Sequence, residues 1–338
     1  MRQYRFKPES ALLAAVLSAV SVVSFAQDAA DEKRDIQAII KKMQSSAQKM
    51  SYTGTFVYQQ ASQIRTSRIT HVNDQAGELE KLEILDGKPR EYVRKNDEVA
   101  CYLPDSKTIQ IEKNVTQEVF PAFVGPGAQN LPDYYTIHKA DMGRVAGADC
   151  QTYAFEPKDA YRYGYRLCAD KQSGLLLRAQ TVNAKNEVIE QIAFTQLLLG
   201  DIDKSRVKPS FQNVTQWHIE NLTVQSNIES GWIVKSLPAG FKKTREMKRV
   251  IPMPPSPSDS NNKQNKSHQV IQMIFSDGLA AISVFIEPDR GNRTEGSLQQ
   301  GAMTIMGKRQ GDYWLTVVGE VPAAAIRQVI NSIELKSK

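Results

Sequence analysis

The sequence predicts an α+β protein in which a long antiparallel β-meander curls around a helix and is followed by a smaller α+β domain. Apolar residues recur with helical spacing in the segment 31–50. From Tyr52 the apolar pattern alternates with a period of two, and turn residues separate the runs. The connections are short and no crossover helix separates the runs, which favours antiparallel over parallel pairing.

The first 26 residues are predicted to be a secretory signal peptide. Basic residues come first, an apolar run at 11–23 follows, and a small-x-small cleavage site ends at Ala26. The alternative is a membrane anchor, but the apolar run is short for a span. No cysteine lies near the cleavage site, so we do not expect a lipoprotein. The mature chain, 27–338, is therefore expected to be exported to an oxidising compartment.

The segment after the cleavage site is predicted to be an amphipathic helix. Asp31 and Glu32 suit its N-terminal end, where the helix dipole favours negative charge. Its apolar positions fall on one face. They are Ile36, Ile39, Ile40, Met43, Ala47 and Met50.

The strand-like runs of the meander follow without interruption up to residue 112 and resume at residue 135. So many consecutive strands must curl, because a flat open sheet of that size is rare. A helix against the concave face would supply a core. The predicted strands are 52–60, 63–72, 78–86, 90–95, 98–103, 107–112, 135–141, 144–156, 161–169, 175–183 and 188–199.

The gap between these two groups of strands is rich in both proline and apolar residues. It contains Phe120, Phe123 and Leu131. Long unstructured connections within compact domains are uncommon and often form lids or binding loops. The alternative is an irregular segment that packs as ordinary core, and the sequence leaves both possibilities open.

The segment 149–183 predicts a hairpin folded about Asp159. Side chains alternate between faces along a strand, so the aromatic residues would share one face and the cysteines the other. The predicted cross-strand pairs are Cys150 with Cys168, Tyr153 with Tyr165, Phe155 with Tyr163, and Glu156 with Arg162.

The chain has three cysteines, which suggests one disulfide and one thiol in an oxidising compartment. The hairpin register selects Cys150–Cys168 for the disulfide. Cys101 lies in a strand-like run and is expected to be a buried apolar residue. The alternative of three unpaired buried cysteines remains open.

A polar connector, 206–230, is predicted to link the large domain, 27–205, to a C-terminal domain, 231–338. Strands are expected at 232–234, 269–275, 279–287, 302–308 and 312–319, with a helix starting near Pro322. The segment 251–268 is rich in Pro, Ser, Asn and Lys and is predicted to be a mobile loop.

The two parts of the chain differ in charge. Residues 27–205 contain 23 Lys and Arg against 25 Asp and Glu, whereas residues 206–338 contain 17 against 11. A basic patch on an exported protein suits acidic protein segments, lipid phosphates or anionic membrane surfaces, and not nucleic acid. A solvated surface is the alternative. The predicted basic patch consists of Lys242, Lys243, Arg245, Lys248 and Arg249.

Motifs for catalysis and metal binding are missing from the sequence. The four histidines are scattered, and we find no Cys-x-x-Cys, nucleophile elbow, P-loop or dinucleotide fingerprint. We therefore predict no cofactor and favour binding over enzymatic chemistry.

Four long motifs carry a resemblance to a known family. They are PKDAYRYGYRL (157–167) with the D-x-x-S-G turn at 170–174, GWIVKSLPAGFK (231–242), SDGLAAISVFIE (276–287) and WLTVVGEVPAAAIRQV (314–329). Together they resemble the RseB/MucB family of periplasmic regulators of the bacterial sigma-E envelope-stress response, over nearly the whole mature chain.

The resemblance implies a fold for the large domain. In that family this domain is similar to the lipoprotein carriers LolA and LolB, which are unclosed β-barrels with covering helices and an apolar cavity. Tyr153, Phe155, Tyr163 and Tyr165 would then line a lipid cavity, with Phe120, Phe123 and Leu131 at its lid.

The resemblance also implies a function. The protein would bind the periplasmic segment of a membrane-spanning anti-sigma factor of the RseA or MucA type and block its cleavage by the site-1 protease DegS. Lipopolysaccharide or mislocalised lipoprotein would release it. A periplasmic lipid or lipoprotein carrier of the LolA type is the alternative, although a single-domain carrier would not need the C-terminal domain. A hydrolase is a third class, which a carboxylate pair in the cavity would favour.

Overall fold

The computed structural model describes residues 34–336 apart from 76, 114–119, 126, 212, 223, 227, 253–266 and 292. The predicted signal peptide lies outside the described residues, as do the first residues of the predicted helix and most of the predicted loop 251–268. Among the described residues, no helix is both long enough and apolar enough to cross a membrane.

The larger of two main sheets has twelve strands in the order β12-β6-β5-β4-β3-β2-β1-β11-β10-β9-β8-β7. All neighbours are antiparallel except β12 and β6, and the sheet stays unclosed between β12 and β7. Its strands are β1 (Tyr52–Gln60), β2 (Gln63–Asp74), β3 (Gly77–Ile84), β4 (Arg90–Lys95), β5 (Glu98–Leu103), β6 (Thr108–Glu112), β7 (Tyr135–Val145), β8 (Ala148–Pro157), β9 (Gly164–Asp170), β10 (Leu176–Val182), β11 (Val188–Leu199) and β12 (His218–Leu222).

Helix α1 (34–49) packs against this sheet, and a four-residue helix, α2 (Leu131–Tyr134), directly precedes β7. Ile40, Met43 and Ala47 are almost fully buried and belong to one apolar cluster with side chains of the sheet. Full burial of an isoleucine or methionine side chain stabilises the folded state by roughly 1.5–3 kcal/mol. The helical spacing of these residues therefore supplies the core that the curled sheet needs.

The smaller sheet has seven antiparallel strands in the order β13-β15-β16-β17-β20-β19-β18. Helix α3 (Ala323–Ile330) packs on it through Ala325, Ile326, Val329 and Ile330. The strands are β13 (Val224–Ser226), β15 (Lys242–Pro252), β16 (Ser267–Ser276), β17 (Ala281–Pro288), β18 (Gly296–Gln300), β19 (Met303–Gln310) and β20 (Tyr313–Gly319), and β14 (Trp232–Val234) pairs with β21 (Ile333–Leu335).

The connector 206–230 is more structured than a polar linker. Strand β12 adds to the edge of the large sheet beside β6, and β13 adds to the edge of the small sheet beside β15. Strand β15 itself was not predicted. Its run of basic residues hides the alternation of apolar and polar residues that is typical of a strand. The connector therefore ties both sheets together through main-chain hydrogen bonds.

The predicted hairpin register is wrong by two residues. In the structure Phe155 lies opposite Tyr165, Tyr153 opposite Leu167, and Thr152 opposite Cys168. The strands end at Pro157 and restart at Gly164, so the connection is centred one residue later than Asp159. A shift of two preserves which face each side chain occupies, so the alternation cannot distinguish the two registers.

Another predicted boundary also moves. The sequence placed a break near residue 142, but β7 continues to Val145 across a bulge between Lys139 and Met142. The turn instead uses Ala146 and Gly147, which both have positive φ. A bulge interrupts the period of two and so looks like a strand end in the sequence.

Candidate functional site

An aromatic cluster fills the space between α1 and the large sheet. Phe120 lies 5.4 Å from Phe56 and 5.0 Å from Phe194, measured between ring centroids. Phe123 packs edge-on against Tyr165 at 5.6 Å, and Tyr165 lies 6.3 Å from Tyr135. The segment from Phe120 onward thus contributes to the core of the large sheet.

The structure brings together most of the predicted cavity and lid residues. Phe120, Leu131, Phe155 and Tyr165 are buried in this cluster, and Phe123 and Tyr153 pack against it. Tyr163 does not join them, because its hydroxyl accepts a hydrogen bond from Gln299 of the small sheet at 3.1 Å. Their role in lipid binding stays a prediction.

The segment 120–131 is held between the helix and the small sheet. The Gln44 side-chain amide of α1 donates to the carbonyl oxygens of Val124 at 3.2 Å and Gly125 at 2.7 Å. The Gly125 amide donates in turn to the carbonyl of Gly278 at 2.9 Å. This segment therefore contacts the large sheet's helix on one side and the small sheet on the other.

The turn of the small sheet between β16 and β17 packs against the apolar cluster of the large sheet. Its Asp277 forms an ion pair with Arg162 at 2.8 Å, and both side chains have no exposed surface. Asp277 also accepts from the Tyr135 hydroxyl at 3.2 Å and from the amides of Leu279 and Ala280. The predicted pair of Glu156 with Arg162 is therefore wrong, since Arg162 turns toward the small sheet.

The arginine of this pair is surrounded by rings. Its guanidinium carbon lies 5.0 Å from the ring centroid of Tyr134, 5.5 Å from Tyr135 and 5.4 Å from Phe241. It also donates to the Ala239 carbonyl and pairs with Asp159. A buried ion pair needs such additional partners to offset its desolvation, and here they come mostly from segments that flank the strands of both sheets.

The predicted disulfide is present between Cys150 and Cys168, with a Cα–Cα distance of 5.4 Å. It runs diagonally, because Cys150 lies opposite Asp170 in the register. Cys101 is a free thiol and is only half-buried. Burial nevertheless raises the pKa of the Cys101 thiol.

The predicted basic patch on β15 is largely engaged within the molecule. Arg249 makes a bidentate ion pair with Glu112 of the large sheet at 2.8 and 3.1 Å, Lys243 pairs with Glu246, and Arg245 donates to Ser226. Lys242 is exposed and Lys248 is partly exposed. The cationic surface offered to a partner is therefore smaller than the sequence suggests.

A second basic surface was not predicted. A cavity of about 320 Å³ on the large sheet is lined by Arg68, Lys81, Arg206 and Lys208, together with Glu83. The four cations come from three separate segments, around residues 68, 81 and 206–208, so no local charge run reveals them. Only the pairing of β2 with β3 and the docking of the 204–210 segment bring them together.

Among the residues that the structure describes, a buried histidine and two glutamates come nearest to a metal-ligand set. Donor atoms of His71, Glu78 and Glu80 lie within 4.8 Å of one another. His71 Nδ1 donates to the carbonyl of Met50 at 2.8 Å, so Nε2 faces Glu78 at 3.1 Å and needs a proton to bond with it. Burial lowers the pKa of His71, but the bonds to Glu78 and Met50 outweigh it and leave that pKa raised.

These features describe a protein with two main β-sheets, the larger of which is unclosed and covered by a helix. Its distinctive sites are an apolar cluster and several charged side chains, and both kinds of site are suited to binding. The family model of the MucB/RseB N-terminal domain matches residues 35–211, and that of the MucB/RseB C-terminal domain matches residues 226–334. The chain belongs to the MucB/RseB family.

The sequences of two individual relatives align with nearly the whole chain. The sigma factor AlgU regulatory protein MucB of Pseudomonas aeruginosa is 28% identical over 315 residues, covering 90% of this chain and 92% of that protein. The sigma-E factor regulatory protein RseB of Escherichia coli K12 is 21% identical over 301 residues, covering 88% and 90%.

Solved structures of the family have the same fold. The complex of MucA and MucB from Pseudomonas aeruginosa matches with a TM-score of 0.68 and 26% identity, over 90% of this chain and all of that chain. A crystal structure of MucB alone matches with a TM-score of 0.64 and 25% identity, over 90% of this chain and 98% of that chain.

Proposed function

We propose that this protein is a periplasmic regulator that binds the periplasmic segment of a membrane-spanning anti-sigma factor of the RseA or MucA type. Bound there, it shields the segment from site-1 proteolysis. The single observation that carries this proposal is the match of both sheets to MucB in its complex with MucA. The protein acts by binding and not by catalysis.

The proposal includes a division into domains. Residues 27–205 form the large domain, 206–230 the connector and 231–338 the small domain, in keeping with the two family-model matches. The helix over the open sheet belongs to the large domain. Since β12 and β13 both come from the connector, a partner that touches either edge can influence both domains.

We further propose that a lipid-like stress signal, lipopolysaccharide or mislocalised lipoprotein, releases the anti-sigma factor. A ligand can shift this equilibrium only if it prefers the released state. Phe120 and Phe123 fill the core in this structure, so an acyl chain enters only when they move. Each buried methylene contributes about 0.8 kcal/mol, which makes a long chain a sufficient source of free energy.

The test combines partner binding with protease protection. The mature protein is mixed with the periplasmic segment of the anti-sigma factor from the same genome, and cleavage by the site-1 protease is followed with and without lipid A or a lipopeptide. We expect protection without lipid and cleavage with it. Phe120→Ala with Phe123→Ala should change the lipid concentration needed for release. Cleavage that is equally fast with and without this protein would refute the proposal.

A further inference from the structure

The basic cavity that Arg68 lines is on the face of the large sheet that points away from helix α1. Ile69 of β2 is fully buried in the apolar cluster to which α1 contributes. Side chains alternate between faces along a strand, so Arg68 points to the opposite face. Val72 packs on that opposite face, in a separate small cluster with Ile202 and Val207. The cavity is therefore distinct from the aromatic core of the sheet.

The segment 202–210 crosses this outer face and forms one wall of the cavity. Lys81 of β3 is 4% exposed and donates to the Ser210 hydroxyl at 2.6 Å. The Ser210 amide donates to the Glu91 carboxylate of β4 at 2.9 Å. Apart from Pro209, the described residues that line the cavity are charged or carry a hydroxyl group. The lining thus suits a charged, water-soluble ligand and offers no apolar wall to an acyl chain.

Positive charge in the cavity exceeds negative charge. Four cations and one carboxylate line it, a balance of +3, and Glu91 beside Lys81 lowers the balance to +2. Arg206 and Lys208 have no ion-pair partner in the part of the chain that the structure describes. Like charges gathered in a concave surface repel one another and concentrate a positive potential. An anion that enters the cavity removes this repulsion.

The two arginines of the cavity also line a second cavity of about 230 Å³ on the same face. Arg68 and Arg206 therefore lie where two cavities meet. A guanidinium group binds a phosphate or a carboxylate through two parallel N–H bonds, whereas a lysine acts as a point charge. A ligand with several anionic groups can use both arginines and Lys208 at once, which a single small ion cannot.

We infer that this basic cavity binds a small soluble anion that carries two or more phosphate or carboxylate groups. The anion is held between Arg68 and Lys81 of the sheet and Arg206 and Lys208 of the segment 202–210, so it fastens this segment to the sheet. The chain continues from here to β12 and β13, at the edges of the two sheets. A bound anion therefore stiffens the connection between the sheets. The site depends neither on the proposed anti-sigma partner nor on the lipid signal.

Calorimetric titration of the mature protein alone tests the site, with tripolyphosphate and citrate as probes at constant ionic strength. We expect at least one of them to bind and acetate not to bind, and the tighter of the two probes identifies the preferred anionic group. Arg206→Gln with Lys208→Gln should weaken binding about tenfold or more, because each charge-assisted hydrogen bond is worth about that factor. Both residues are exposed, so the double variant keeps its fold.

A matched control removes the same amount of charge outside the cavity. Lys185→Gln with Lys204→Gln changes two exposed lysines that do not line it and should bind the probes as the wild type does. No binding of either probe, or equal affinity of the cavity variant and the control variant, would overturn the site. Hexaglutamate that binds more tightly than both probes would overturn the small anion as the ligand and point to an acidic protein segment.

Hydrogen exchange tests whether the anion fastens the segment to the sheet. The Lys208 and Ser210 amides donate to the Ser205 carbonyl and the Glu91 carboxylate while the segment lies on the sheet. At about ten times the Kd, the anion should slow their exchange about tenfold, because opening of the segment destroys the site. Amides of helix α3 should exchange as before. Exchange of Lys208 and Ser210 that stays unchanged at saturating anion would overturn the fastening.

Discussion

His71 is the residue at which pH should act most directly on the large sheet. Its side chain is 1% exposed, stacks on Tyr52 at 4.9 Å and pairs with Glu78. The pKa of His71 is raised above its ordinary value of 6.5, and that of Glu78 is lowered by its hydrogen bond with His71. The ion pair between His71 and Glu78 is therefore formed at pH values between the lowered pKa of Glu78 and the raised pKa of His71.

The sign of the effect follows from linkage. A raised histidine pKa contributes stability that is fully present below pH 6.5 and is lost as pH rises through the pKa of the folded state. We expect the free energy of unfolding to fall over that interval in the wild type and to stay flat in His71→Phe. Urea unfolding at a series of pH values measures this. His218→Phe, at an exposed position, serves as the control, and an identical pH profile for His71→Phe and wild type would contradict the prediction.

The disulfide between Cys150 and Cys168 is a second contribution of individual residues to the stability of the protein. Its cysteines are separated by 18 positions, and closing a loop of that length restricts the unfolded chain by about 3 kcal/mol. Cys150→Ala with Cys168→Ala should lower the free energy of unfolding by that amount, whereas Cys101→Ser should have little effect. Peptide mapping without reduction gives the pairing. A linked peptide that contains Cys101, or three thiols open to alkylation after unfolding, would refute it.

At the scale of elements, the basic strand β15 has two distinct roles. Lys242 and Lys248 remain available to a partner, whereas Arg249 joins the small sheet to Glu112 of the large one. Rim charges act mainly on the association rate and are screened by salt. Lys242→Glu with Lys248→Glu should therefore slow association with the anti-sigma segment, and more so at low salt.

Stopped-flow mixing at two ionic strengths checks this prediction. Lys235→Glu, directly after β14, is a control for charge alone. Arg249→Ala should instead loosen the contact between the sheets, seen as faster proteolysis of the connector. An association rate that is unchanged in the double variant at every salt concentration would leave β15 as a solvated surface.

The elements also show what a sequence can and cannot reveal. Helical spacing identified α1 and α3, and alternation identified most of the strands, because burial of one face imposes those periods. The short strands β12, β13 and β18 carry few apolar residues and form by adding to the edge of a neighbouring strand that is distant in sequence or already paired in a sheet. The basic cavity around Arg68 and Arg206, and the pairing of Arg162 with Asp277, depend on contacts between distant segments, which local patterns do not encode.

At the scale of the whole molecule, Glu190 acts electrostatically on a second carboxylate, Glu320, where the two sheets approach each other. Glu190 of β11 accepts the Tyr58 hydroxyl at 2.5 Å, and Gln60, which also bonds Glu190, donates to the Gln300 carbonyl of the small sheet at 2.9 Å. Glu320 follows β20. The Glu320 side chain is exposed to solvent, yet the surrounding protein and then the charge of Glu190 raise the pKa of Glu320 to about 7.

A carboxyl group whose pKa is raised in the folded state destabilises that state at pH values where the same group is already ionised in the unfolded chain. As pH rises from 4.5 toward 7, the unfolded state loses the Glu320 proton first, so the folded, docked state loses stability over this interval. Glu320→Gln removes that loss. We expect the variant to unfold at a higher temperature than the wild type above pH 7 and at the same temperature near pH 4.5, with Glu229→Gln behaving as wild type throughout. Because water screens part of the repulsion, the difference should shrink with salt. A stabilisation that is equal at both pH values would mean that Glu320→Gln acts through packing and that the contact between the sheets does not respond to acid at this position.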